Sequence, residues 1–110
     1  MIIEIRHYTL HPGRREDFIR YFESVNRPAL RDAGMLVFGP MRDQEDPDKV
    51  HWMRAFASEA ERQRIKDAFY DGPVWKEKVE PVVMPMIARY EAEIVSTTDG
   101  FEGFSGAPEL

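Results

Sequence analysis

The chain has no cysteine, which excludes disulfides, zinc–thiolate sites and thiol catalysis together. Its apolar runs are short, and none approaches the roughly 20 residues needed to span a bilayer. Basic charge is not in excess either. Lys and Arg number 15 against 20 Asp and Glu, a net charge of −5, whereas non-specific nucleic-acid binding needs a basic footprint. No block of like charge suggests an anionic-membrane patch. Phosphate-cradling glycine loops, the G-x-S-x-G elbow and helical metal-ligand patterns are missing too. No nucleotide, metal or other cofactor is therefore expected. Met1 leads straight into a strand pattern, so no signal peptide is expected and the predicted location is cytoplasmic.

What remains is a chain of 110 residues, enough for one domain with a real core. Its predicted strands each carry one apolar and one charged row, because side chains alternate along a strand. In Ile2–Leu10, Ile3 and Ile5 oppose Glu4, Arg6 and Tyr8. In 50–57, Met53 and Ala55 oppose Trp52, Arg54 and Phe56, and in 87–95, Ala88, Tyr90, Ala92 and Ile94 oppose Arg89, Glu91 and Glu93. Such a sheet can bury one face under helices and reserve the other for a second subunit or a ligand.

Between the strands, His11-Pro12-Gly13 marks a turn. Phe18, Phe22, Val25 and Ala29 follow at helical spacing, and Asn26-Arg27-Pro28 is expected to kink or break that helix. Gly39-Pro40 suits an edge strand. Ser58 and Glu61 form a capping box opening a second helix, whose predicted buried stripe is Ile65, Ala68 and Phe69. Strand, helix, strand, strand, helix, strand is the split βαβ order. It predicts an α+β, ferredoxin-like βαββαβ antiparallel sheet with two helices on one face. The first and third strands are expected at the centre, running parallel. The domain is expected to span residues 1–97, with 98–110 a flexible, glycine-rich tail.

The charged row supplies the candidate site. Arg6 and Arg54 suit a carboxylate or enolate, since a planar guanidinium pairs bidentately with oxyanions. Tyr8 could donate a hydrogen bond, and Trp52 sits among them. The competing expectation is that these residues are salt bridges and stacked rings lining a dimer interface. His7 and His51 are assigned to the helix-facing row. In parallel strands, with His7 late and His51 early, they would stand too far apart to share an ion. No metal site is expected, and His7 is retained as a ligand-binding candidate.

Two stretches carry a family resemblance. Glu4-Ile5-Arg6-His7-Tyr8-Thr9-Leu10-His11-Pro12-Gly13 resembles the E-x-R-x-Y-x-L-x-P-G opening of NIPSNAP-family proteins. His51-Trp52-Met53-Arg54-Ala55-Phe56, with Ala68-Phe69-Tyr70-Asp71-Gly72-Pro73-Val74-Trp75-Lys76, is similar to the W-x-R-x-F … A-F-Y-x-G-P-x-W-K pattern of bacterial members. The resemblance implies a homodimeric α+β barrel in which two ferredoxin-like sheets pack face to face. The fold by itself selects no reaction. Three roles follow as alternatives: binding a small, partly apolar anion between sheet and helices; cofactor-independent monooxygenase- or lyase-like catalysis on an aromatic or enolisable substrate; or a purely structural dimer.

Overall fold

Residues 1–103 are described by a computed structural model of the chain. Strand β1 (Ile2–Leu10) leads into helix α1 (Arg15–Tyr21), a π-helical stretch (Phe22–Asn26) and α2 (Arg27–Asp32). The hairpin of β2 (Leu36–Arg42) and β3 (Lys49–Phe56) comes next, then α3 (Glu59–Tyr70). A second π-helical stretch (Val74–Val79), α4 (Glu80–Val83) and a 3₁₀ turn (Met84–Met86) carry the chain into β4 (Ile87–Ser96). The sheet order is β2-β3-β1-β4 and every neighbouring pair is antiparallel. This is the predicted ferredoxin-like arrangement, with Gly39-Pro40 on an edge strand as expected. From residue 104 on, the predicted tail lies outside the described residues. No helix among the described residues is long and apolar enough to cross a membrane.

The parallel pairing expected for β1 and β3 is overturned. A helical crossover makes β1 and β2 parallel, and the hairpin then reverses β3, so β3 enters between them antiparallel to both. The register sets Glu4 opposite Arg54, Arg6 opposite Trp52, and His7 opposite His51.

The face assignment is also reversed. The helices cover the row of Glu4, Arg6, Tyr8 and Leu10, because β3 continues that row as Val50, Trp52, Arg54 and Phe56. Leu10, Val50, Trp52 and Phe56 join Phe18, Phe22, Leu30, Ile65 and Phe69 in one core. Ile3, Ile5, Met53 and Ala55 occupy the other face. Leu36, Met41 and Val95, paired with Ala55, His51 and Ile3, add exposed apolar area there.

Pro28 does not break the first helical path, which runs on from the π-helical stretch into α2. It removes one donor, and the widened π turn absorbs the loss without ending the helix. The turn also shifts which side chains point inward. Phe18, Phe22, Asn26 and Leu30 are buried, four residues apart, where a 3.6-residue period selects Val25 and Ala29. In α3, Ser58 accepts the Glu61 backbone N–H as predicted, but the Glu61 carboxylate accepts from Arg64 instead of closing the box. The buried stripe is Arg62, Ile65 and Phe69, with Ala68 exposed.

Gly39 sits where the β2–β3 register shifts, at φ +111°. A Cβ there would lie 3.0 Å from Trp52 Cβ and 3.2 Å from Trp52 Cα. Gly39→Ala is therefore expected to cost about 2 kcal/mol, from the unfavourable φ and the backbone clash. Chemical denaturation would read this as a lower midpoint at unchanged slope.

Candidate functional site

Glu4 is a carboxylate in a hydrophobic protein core, 1% exposed. It is tolerable only because cations reach it from three elements. Arg6 of its own strand donates to Oε1 at 2.6 Å, Arg54 of β3 donates to Oε1 at 3.0 Å, and Arg62 of α3 donates to Oε2 at 2.7 Å. Lys66, one helical turn beyond Arg62, brings its ammonium to 3.9 Å. Burial pushes the Glu4 carboxyl upward, but the field of Arg54 and the hydrogen bonds from Arg62 and Arg54 outweigh it, leaving the pKa at about 2.

The guanidiniums are walled by rings. Arg6 lies 5.6, 5.4 and 5.6 Å from the ring centres of Tyr8, Trp52 and Tyr90. Arg54 lies 5.6, 5.8 and 5.5 Å from those of Trp52, Phe56 and Tyr70. Cations over aromatic faces gain from the ring quadrupole while staying out of water. Arg6 Nε donates to the Tyr8 hydroxyl at 3.2 Å, and Arg54 Nη1 donates to the Tyr70 hydroxyl at 2.8 Å. Burial raises the Tyr8 pKa, with the Arg6 guanidinium opposing it, so the phenol is held protonated.

Beside this network lies a cavity of about 430 Å³. Its polar wall is Arg6, Tyr8, Arg54, Arg62, Lys66 and Tyr70; its apolar wall comes from Leu30, Phe69, Trp75, Val79 and Val83. Charge here is unbalanced. Three guanidiniums and an ammonium face the single carboxylate of Glu4, with the exposed Glu59 taking a second bond from Arg62. The surplus is felt by Lys66, whose pKa is lowered by burial and by the fields of Arg62, Arg54 and Arg6, against the opposing pull of Glu4.

The structure thus brings Arg6, Tyr8, Trp52 and Arg54 to one cavity. His7 is not there; it projects from the opposite sheet face. The expected separation of His7 and His51 is also overturned, since antiparallel pairing sets their Nδ1 atoms 2.8 Å apart. Glu93 meets His7 Nε2 at 2.9 Å and Asp43 meets His51 Nε2 at 2.7 Å. Glu93 accordingly serves His7, and Glu91 lies opposite His7 on β4. The backbone N–H of Asp46, the His51 ring and the N–H of Glu45 hold the Asp43 carboxyl at about 2. Among the described residues, no group of three or more His, Asp or Glu is placed to hold a metal ion.

Sequence reasoning missed Asn26, Arg62, Lys66 and Tyr70. Arg62 and Lys66 were legible in principle as an i, i+4 basic pair on the face of α3 that carries Ile65 and Phe69. Asn26 was not, since only the π turn rotates it inward.

An antiparallel sheet with helices on one face, enclosing an aromatic and cationic cavity, defines a ferredoxin-like α+β protein with a candidate anion pocket. Residues 3–99 match the NIPSNAP family profile, and the chain belongs to that family. It is similar in structure to an uncharacterized NIPSNAP domain protein from Burkholderia xenovorans (TM-score 0.83, 14% identity, covering 94% of this chain and 100% of that one). Protein Atu4242 from Agrobacterium tumefaciens is similar too (0.81, 20%, 91% and 96%). A more distant likeness is to a proposed antibiotic biosynthesis monooxygenase from Nitrosomonas europaea (0.63, 17%, 88% and 98%). At these identities the likeness establishes the fold. No curated protein matches the chain.

Proposed function

We propose that the protein binds a small, partly apolar anion in the cavity between sheet and helices, as a homodimer whose second copy covers the other sheet face. The carrying observation is the surplus of buried cations over carboxylate at the cavity wall. A charge held in low dielectric without a partner is costly, and an anionic ligand supplies the missing counter-charge. Arg6 donates to Tyr8 and Glu4, and Arg54 to Glu4 and Tyr70; a guanidinium has five N–H donors, which leaves some for an oxyanion. Trp75, Phe69 and Val83 supply apolar wall.

A second reading, catalysis on an aromatic or enolisable substrate, draws support from one group. The protonated, half-buried Tyr8 hydroxyl beside Arg6 could give up its proton while the guanidinium stabilises the phenolate left behind. His7, on the far face, has no part in it.

Native mass spectrometry of the protein purified from its host would test the binding reading. A dimer carrying a reproducible extra mass is expected; an empty dimer that aromatic carboxylates do not stabilise against heat would reject it. Arg54→Ala and Lys66→Met separate site from interface. Both are expected to lose the extra mass and to retain the dimer, because both residues line the cavity between sheet and helices, away from the helix-free sheet face. Loss of dimer in Arg54→Ala, at a temperature where the variant is folded, would instead favour the structural role.

A further inference from the structure

Among the described residues, Asn26 Oδ1 and Trp52 Nε1 are buried without a hydrogen-bond partner. Asn26 is 8% and Trp52 3% exposed, and both side chains line the cavity. One is an acceptor and the other a donor, and neither carries charge. Packing gives no reason for the carboxamide. The inward row of this helix is otherwise Phe18, Phe22 and Leu30, and a leucine at 26 would spare the cost of a buried, unpaired amide. The π turn that brings Asn26 inward is a distortion found often at functional sites.

We infer that the anion bound in this cavity also carries a hydroxyl group, recognised by Asn26 and Trp52. A hydroxyl has the chemistry to answer both, a hydrogen to donate to Asn26 Oδ1 and an oxygen to accept from Trp52 Nε1. It would also answer the carboxamide turned the other way. The ligand class is thus a hydroxylated carboxylic acid with an apolar or aromatic frame. This deepens the anion-site reading and rests on it: the guanidiniums take the carboxylate, while the neutral pair selects among carboxylates. Burying an unpaired donor and acceptor under a ligand lacking the hydroxyl is what would give discrimination, as in sites that reject analogues missing one polar group.

The experiment compares matched acids by calorimetric titration of the whole protein: 3-phenyllactate and 3-(4-hydroxyphenyl)propionate against 3-phenylpropionate. At least one hydroxylated acid is expected to bind about tenfold or more tighter than its deoxy analogue and to shift the Trp52 indole N–H resonance. Trp52→Phe, which keeps the ring and removes the donor, and Asn26→Leu should each bring the ratio close to one. Equal binding of all three acids would overturn the inference and leave the anion site standing, the two atoms then being served by water alone. Binding of none would remove both. A preference that survives Asn26→Leu and Trp52→Phe would assign the discrimination elsewhere and overturn this inference too.

Discussion

Glu4→Gln is expected to lower stability by about 3 kcal/mol, a loss of roughly 12 to 24 °C in Tm for a domain of this size. Glutamine is nearly isosteric, so packing changes little. What disappears is the one buried charge that compensates Arg6, Arg54 and Arg62, leaving only the exposed Glu59 on Arg62. Breaking a buried pair from one side leaves the other charges stranded, and the cost exceeds the worth of any single bond. The shift of the carboxyl from 4.5 to about 2 leads to a similar figure, at about 1.4 kcal/mol per unit. It also fixes the pH dependence. A carboxyl whose folded pKa is depressed binds protons more readily in the unfolded chain, so its contribution is complete above about pH 4.5 and is lost as pH falls toward 2. Urea titrations from pH 7 to pH 2 should show the wild type losing this increment and the variant losing less. Parallel curves for the two proteins would mean that Glu4 is not the keystone of the cluster.

Met53→Arg is expected to weaken self-association by at least about a thousandfold while leaving the monomer folded. Met53 lies at the middle of the helix-free face, between Ile5 and Phe38 in the register. In a two-fold dimer every substitution occurs twice, so two unpaired charges would be buried at the centre of the contact. Ile5 is the poorer choice, since it sits opposite Glu93 and an arginine there would find a carboxylate. Sedimentation velocity across a dilution series checks the result. A variant that dimerises like the wild type would move the interface to another surface, and a monomeric wild type would end the homodimer reading.

Much of the local structure was legible because it depends on neighbours in sequence. Alternation in Ile2–Leu10 and 50–57, the turn at His11-Pro12-Gly13 and the Ser58 cap each involve residues a few positions apart. The element order then selected the split βαβ arrangement. The site was half legible. Arg6, Tyr8, Trp52 and Arg54 stood out because such residues at alternate strand positions share one face. Their burial was misjudged because rows containing Glu4, Arg6 and Arg54 read as solvated or interfacial when taken one strand at a time. A charged row becomes core only when its counter-charges come from far along the chain. Arg54 and Arg62 lie 50 and 58 residues from Glu4.

The two histidines show the same limit from the other side. Their types and positions were plain in the sequence, yet a wrong strand direction placed them far apart. Local pattern carries period, and period does not carry direction or face. By itself, the sequence determined the elements, their order and the pairing of unlike rows on each strand, through short-range sterics and side-chain alternation. Only the tertiary structure decided which row the helices cover, that Asn26 turns inward at the π stretch, and that His7 meets His51. Each of those depends on the register and packing of segments tens of residues apart, where the burial of one group is set by the charge or shape of another.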